Sequence, residues 1–244
     1  MGKKDNIFRK PLTAKDFSFD ASVTKAFDDM LGRSIPLYSE IQNMVGDIAK
    51  HFAKGKTNIY DLGCSTGNTL TKLKKAIKQK TVRFIGVDNS LPMINKAKEK
   101  MNKFPDKRVK FIKGDIVKNI KIQNASVVIL NWTFQFIRPI HRNLLIKKIY
   151  KGLTSGGCLI VNEKILSNDP ILNRIFISLY YNFKKRNKYS ELEISRKREA
   201  LENVLVPYGA EENIEILKKN GFKHVDIFFK WHNFAGFLAV KTNR

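Results

Sequence analysis

The sequence predicts an α/β fold, an open and mostly parallel seven-stranded sheet with helices on both faces. Three observations carry this expectation: short apolar, β-prone runs alternate with helical stretches, each run ends on a polar residue, and the first breaks into a turn bearing two glycines. That first run is Ile59-Tyr60-Asp61-Leu62-Gly63-Cys64-Ser65-Thr66-Gly67, followed by helix-forming sequence from Thr69 to Ile77. Gly63 and Gly67 can take positive φ and let a ligand approach bare backbone. The spacing is not that of a dinucleotide fingerprint, and no Gly-Lys-Ser/Thr follows to hold a triphosphate.

The second strand, Val82 to Val87, ends on Asp88, where a carboxylate can accept hydrogen bonds from both ribose hydroxyls. Asn89, Ser90 and Pro92 then open a helix, with Ser90 as N-cap and Pro92 in the first turn. A third strand, Val109 to Ile112, leads to Gly114-Asp115-Ile116, placing Asp115 to accept from an adenine amino group and Ile116 to pack on the ring. A fourth, Val127 to Leu130, ends at Asn131. One such residue is an ordinary turn or cap. Four in order along the carboxyl edge mark the place where open α/β sheets bind ligands. Asp61, two places before Gly63, makes the first loop resemble that of S-adenosylmethionine (SAM) proteins.

The helical elements follow the same logic. Residues 1–16 read as a flexible basic arm, and residues 17–56 as an N-terminal helical lid. In the lid, Phe19 to Leu31 forms one helix, with Gly32 available as its stop, and Tyr38, Ile41, Val45, Ile48 and Phe52 form the stripe of a second. Tyr38 is either packing on that stripe or part of a cover over the ligand. Residues 57–244 form the α/β domain. Its helix from Ile140 to Leu153 turns at Ser155-Gly156-Gly157 into a fifth strand, Cys158 to Val161. A helical insertion, 164–207, comes next and is too long for a plain connection. Ile171, Ile175, Leu179 and Phe183 give it an amphipathic helix, and Ser190-Glu191-Leu192-Glu193 is a capping box opening another that carries Arg196, Lys197 and Arg198. The helix Ala210 to Asn220 and two strands, Val225 to Trp231 and Phe234 to Val240, close the chain around a turn at His232-Asn233.

Composition agrees with an enzyme of one core. The chain has 244 residues, 43% of them hydrophobic. No apolar run approaches the ~20 residues a bilayer requires, and no signal-peptide core follows the first lysines, so a cytoplasmic protein is expected. Cys64 and Cys158 read as free thiols in a reducing compartment, and metal-ligand spacing is absent. The net charge of +24 is spread over runs such as Lys72, Lys74, Lys75, Lys78 and Lys80. It draws in anions of any size and does not choose between RNA and a small acid.

From about Phe19 to Val240 the chain resembles the carboxy-S-adenosyl-L-methionine synthases, within the class I SAM-dependent methyltransferases and their Rossmann-like fold. Asp61-Leu62-Gly63-Cys64-Ser65, Val87-Asp88-Asn89-Ser90 and Gly114-Asp115-Ile116 carry the superfamily likeness. Arg33-Ser34-Ile35-Pro36-Leu37-Tyr38, Leu130-Asn131-Trp132-Thr133-Phe134-Gln135-Phe136, and Tyr189 through Arg198 to Val204 carry the family likeness. Trp132 in place of Phe, and Thr66 and Asn68 in the first loop, depart from the family pattern.

The resemblance implies a carboxyl-type transferase that converts SAM and prephenate to carboxy-SAM and phenylpyruvate. It further implies a homodimer whose product passes to a tRNA carboxymethyltransferase for 5-oxyacetyl-uridine formation at the wobble position, with no metal and no specific nucleic-acid binding. Carried over, Tyr38, Gly63, Cys64, Ser65, Asp88, Asn89, Asp115, Ile116 and Asn131 hold SAM. Arg198 grips the added carboxylate, reaching into the neighbouring subunit. No side chain stands out as a general base, and prephenate, which aromatises on losing its ring carboxylate and hydroxyl, can supply one. Arg33, Arg138 and Arg142 are basic candidates for prephenate. The competing expectations are an ordinary SAM-dependent methyltransferase acting on RNA or a small molecule, and a non-catalytic binding module. Asn131-Trp132-Thr133 lacks the Pro-Pro-aromatic turn of amino-methylating enzymes, and the intact acids Asp61, Asp88 and Asp115 argue against decay.

Overall fold

A computed structural model describes residues 20–202 and 204–242; the basic arm and the expected helix start at Phe19 lie outside these. Two helices come first, α1 (Ala21–Ser34) and α2 (Tyr38–Phe52). The sheet domain follows with β1 (Asn58–Leu62), α3 (Asn68–Ala76), β2 (Arg83–Asp88), α4 (Leu91–Asn102), β3 (Val109–Lys113), β4 (Ala125–Asn131), α5 (Pro139–Gly152) and β5 (Leu153–Leu166). The insertion holds α6 (Pro170–Arg186) and α7 (Glu191–Leu201), and the chain ends with β6 (Tyr208–Gly209), α8 (Ala210–Lys219), β7 (His224–Trp231) and β8 (Phe234–Val240).

The strand order is β3-β2-β1-β4-β5-β8-β7, parallel except where β8 runs antiparallel between β5 and β7. This is the expected mostly parallel sheet with seven strands in its path, plus a short eighth. The addition is β6, which pairs with Ile165 and Leu166. It exists because β5 is far longer than its apolar stretch Cys158 to Val161 suggests. Ser155-Gly156-Gly157 does not break the strand but bulges within it: Leu153 lies opposite Ala125 and Cys158 opposite Val127, with Gly156 at φ 65°.

Alternation along the strands sorts the core into two layers. Val128 and Leu130 of β4 pack with Leu145, Ile146 and Ile149 of α5 on one face. Val127 and Ile129 pack with Leu70 and Leu73 of α3 and Val45 of α2 on the other. Both faces of the strands are therefore apolar, as a sheet covered on both sides requires.

One expectation is corrected. Gly32 does not stop α1; it lies inside the helix, which ends where Ile35 turns extended (φ −102°, ψ 118°) ahead of Pro36. The apolar stripe of α6 faces outward: Ile171 is 65% exposed and Leu172, Ile175 and Leu179 are exposed with it, whereas Tyr180 and Lys184 are buried.

Candidate active site

The carboxyl ends of β1, β2 and β4 open into a cavity of about 480 Å³, roofed by α1, α2 and the insertion. Tyr38, Gly63, Cys64, Ser65, Asp88, Asn89, Asp115, Ile116 and Asn131 all line it. The loop after β1 is anchored by its own backbone, the amides of Gly63 and Cys64 both donating to the Val87 carbonyl at 2.7 and 2.9 Å. Gly63 has φ 78°, and a Cβ there would collide with Thr133, so the loop reaches this close approach only with glycine.

Asp88 sits where that loop meets α4. One carboxylate oxygen accepts from the Ser65 amide at 2.9 Å, the other from the Ser90 amide at 2.8 Å. Burial nevertheless raises its pKa, against the lowering effect of those amides. Each oxygen keeps a lone pair for a ribose hydroxyl. Asp115 orders its own turn, accepting from the Val117 and Lys118 amides at 2.8 and 3.2 Å. Asn131 donates to Thr69 at 3.1 Å and accepts from Asn162 at 2.6 Å, which ties β4 to α3 and β5.

Asp61 is the most constrained acid. It is 1% exposed and lines the cavity, and neither carboxylate oxygen has a hydrogen-bond partner. Burial, and then the charge of Asp88, push its pKa up to about 7. Such an orphaned pair of acceptors suits a cationic group such as the ammonium of SAM. The residues present thus fit SAM: an acid for the methionine end, Asp88 for the ribose, and Ile116 with Asp115 for the base.

Thr66 and Asn68, which depart from the family pattern, join the loop to the lid. Asp28 of α1 accepts from the Thr66 hydroxyl at 2.7 Å and from the Asn68 amide at 2.9 Å, and pairs with Lys100 of α4 at 2.5 Å. Tyr38 receives a long 3.4 Å hydrogen bond from Asn68, and burial raises its phenol to about 12. Burial also raises the Cys64 and Cys158 thiols, so neither is a ready nucleophile.

The four arginines separate. Arg142 is not available for prephenate: it is 1% exposed, stacked 4.0 Å from the Tyr208 ring centroid and bonded to the carbonyls of Ile137, Gln135 and Val206. Arg33 is likewise engaged, donating to the carbonyls of Asn187 and Lys188 at 2.8 and 2.7 Å over the Tyr189 ring. Arg138 lines the cavity. Arg198 is exposed on α7 and lies outside the cavity of its own chain, its guanidinium pKa raised by a hydrogen bond to Tyr181. Lys164 and Lys197, which no motif singled out as ligands, line the cavity instead. Their neighbours in sequence gave no signal, because their burial depends on how the insertion packs.

Comparison with known proteins agrees with this geometry. A sequence profile described as a methyltransferase domain matches residues 59–157. Phosphoethanolamine N-methyltransferase 2 of Haemonchus contortus, solved with phosphomonomethylethanolamine and S-adenosylhomocysteine, superposes with a TM-score of 0.67 at 17% identity, covering 92% of this chain and 59% of that one. The fold is therefore that of the class I SAM-dependent methyltransferases.

Within that class, the chain is 47% identical to the carboxy-S-adenosyl-L-methionine synthase of Methylococcus capsulatus, over 98% of this chain and 99% of the relative. It is 46% identical to the synthase of the same name from Nautilia profundicola, over 98% and 100%. The chain belongs to the carboxy-S-adenosyl-L-methionine synthase family, and is a transferase with SAM as substrate. Among the described residues, no group of three or more His, Cys, Asp or Glu could hold a metal ion, and no helix is long and apolar enough to cross a membrane.

Proposed function

We propose that the protein converts SAM and prephenate to carboxy-SAM and phenylpyruvate. The observation that carries this reading is that the cavity leaves no carboxylate over for base catalysis once SAM is held. Its only carboxylates among the described residues are Asp61, Asp88 and Asp115, all at strand ends suited to SAM, and the Cys64 and Tyr38 groups are held protonated. On this reading the second substrate, and not His141 or a cavity lysine, removes a proton from the sulfonium methyl. Prephenate loses its ring carboxylate as carbon dioxide and its ring hydroxyl as hydroxide; the hydroxide takes the methyl proton as water, and the methyl carbon takes up the carbon dioxide. Atoms and charge balance without an oxidant. The chain's residues orient the two substrates, exclude water under α1 and the insertion, and neutralise the new carboxylate.

The family resemblance supports the remaining assignments: a cytoplasmic homodimer in which Arg198 of one subunit meets the carboxylate in the other, and a product consumed by a tRNA carboxymethyltransferase acting on the wobble uridine. Arginine suits the first task through its planar, bidentate fork. The test is incubation of purified protein with SAM and prephenate. Phenylpyruvate and a SAM derivative heavier by carbon dioxide form in equal amounts on this reading, and His141→Gln, which alters the one histidine lining the cavity, keeps that turnover. Intact prephenate, with S-adenosylhomocysteine appearing on addition of RNA or a small acceptor, would return the protein to the ordinary methyltransferases.

A further inference from the structure

Three lysines converge where the insertion covers the sheet: Lys164 near the end of β5, Lys184 in α6 and Lys197 in α7. Lys184 is 5% exposed and Lys197 is 6% exposed. Two tyrosines hold them. The Lys184 and Lys164 ammonium groups lie 4.5 and 5.5 Å from the Tyr180 ring centroid, and that of Lys197 lies 5.3 Å from the Tyr189 ring and donates to Ser34 at 2.7 Å. Lys164, Lys197 and Tyr180 line the cavity, whereas Lys184 stands behind them against the Tyr180 ring.

This arrangement is costly. Among the described residues, no carboxylate forms an ion pair with Lys164 or Lys184. Burial lowers the pKa of Lys164, and it lowers that of Lys184 strongly, with the charges of Lys197 and Lys164 adding to the effect. Desolvating an ammonium is unfavourable unless a counter-charge arrives. Packing alone gives no reason for it, since the same helix leaves Ile171 and Ile175 outside.

The position of the cluster says what the counter-charge is. Asn131 and Asn162 are paired across β4 and β5, and Lys164 follows two residues later. The lysines therefore stand on the β4–β5 side of the cavity, away from the β2 and β3 ends where Asp88 and Asp115 serve the nucleoside.

We propose that Lys164 and Lys197 form the anion subsite of the second substrate, suited to a small dicarboxylate, with Lys184 adding positive charge from behind the Tyr180 ring. The proposal rests on the preceding reading only for the identity of that dicarboxylate as prephenate. A dianion seated there quenches the repulsion among the lysines and separates them from the sulfonium of SAM, so the two substrates bind cooperatively.

The test uses Lys164→Met, Lys184→Met and Lys184→Arg in the full chain. The expected result for each Met variant is a KM for prephenate raised at least tenfold, a SAM affinity within twofold of the parent, and a melting temperature equal or higher, because an uncompensated buried charge has gone. Lys184→Arg recovers part of the KM. An unchanged KM, or SAM affinity lost in proportion, overturns the proposal. Binding of malonate, titrated with S-adenosylhomocysteine present, separates this proposal from the reaction itself. If prephenate is not turned over yet malonate binds the parent and not Lys184→Met, the subsite stands and the reaction fails. Malonate binding equally to both, or to neither, sinks the subsite.

Discussion

Asp61 concentrates the electrostatic strain of the ligand-free protein. Its carboxyl has an ordinary pKa of 3.8 and is raised to about 7 by burial and by Asp88. Between about pH 4 and 7 the folded state therefore keeps a proton that the unfolded chain has released. Stability contributed by that group falls as pH rises through this window, by roughly 4 kcal/mol in the limit at about 1.4 kcal/mol per unit. Asp61→Asn is expected to melt above the parent at pH 8 and to lose the stabilisation that SAM gives the parent; thermal scans with and without SAM check both, and a SAM response equal to the parent's would contradict the assignment. Arg198 supplies a second prediction at this scale. Arg198→Ala should hold SAM within twofold and carboxy-SAM at least tenfold more weakly, in keeping with roughly 1.5–3 kcal/mol for a hydrogen bond to a charged group. Equal weakening of both ligands in calorimetry would remove the carboxylate-gripping role.

Among the elements, α7 carries both Lys197 and Arg198, and its start is fixed by a complete capping box. The Glu193 amide donates to the Ser190 hydroxyl at 3.2 Å, and the Ser190 amide donates to the Glu193 carboxylate at 2.8 Å. Ser190→Ala should cost about 1 kcal/mol, read as a fall of roughly 2–4 °C in melting temperature for a domain this size. The box was legible in the sequence because it needs only Ser190 and Glu193 three residues apart. The strand ends at Asp88, Asp115 and Asn131 were legible for the same reason: an apolar run and a polar stop are local signals. What stayed hidden depends on distant chain. Arg142 looked like a substrate arginine until Val206, 64 positions away, supplied an acceptor. Thr66 and Asn68 looked like neutral departures, yet both donate to Asp28 in α1. Gly32 looked like a helix stop, but Pro36 ends α1 through its effect on Ile35. No periodicity announces that Lys184 faces inward on a helix whose isoleucines face out.

At the scale of the whole molecule, the charge of +24 and the exposed α6 stripe remain to be used. The stripe suits a second copy of the chain, and a dimer formed there would bring one subunit's insertion towards the other. Ile175→Asp is expected to shift light scattering from dimer to monomer and to weaken carboxy-SAM retention as Arg198→Ala does; a dimer unaffected by it would place the interface elsewhere. On the proposed reading, in which another enzyme modifies the nucleotide, the positive surface should give only weak tRNA binding that fades with added salt. The most direct measurement follows the carbon itself. With prephenate carrying ¹³C in its ring carboxylate, mass spectrometry of the nucleoside product should find the label in the new carboxyl group of carboxy-SAM. Unlabelled carboxy-SAM, or S-adenosylhomocysteine in its place, would contradict the account.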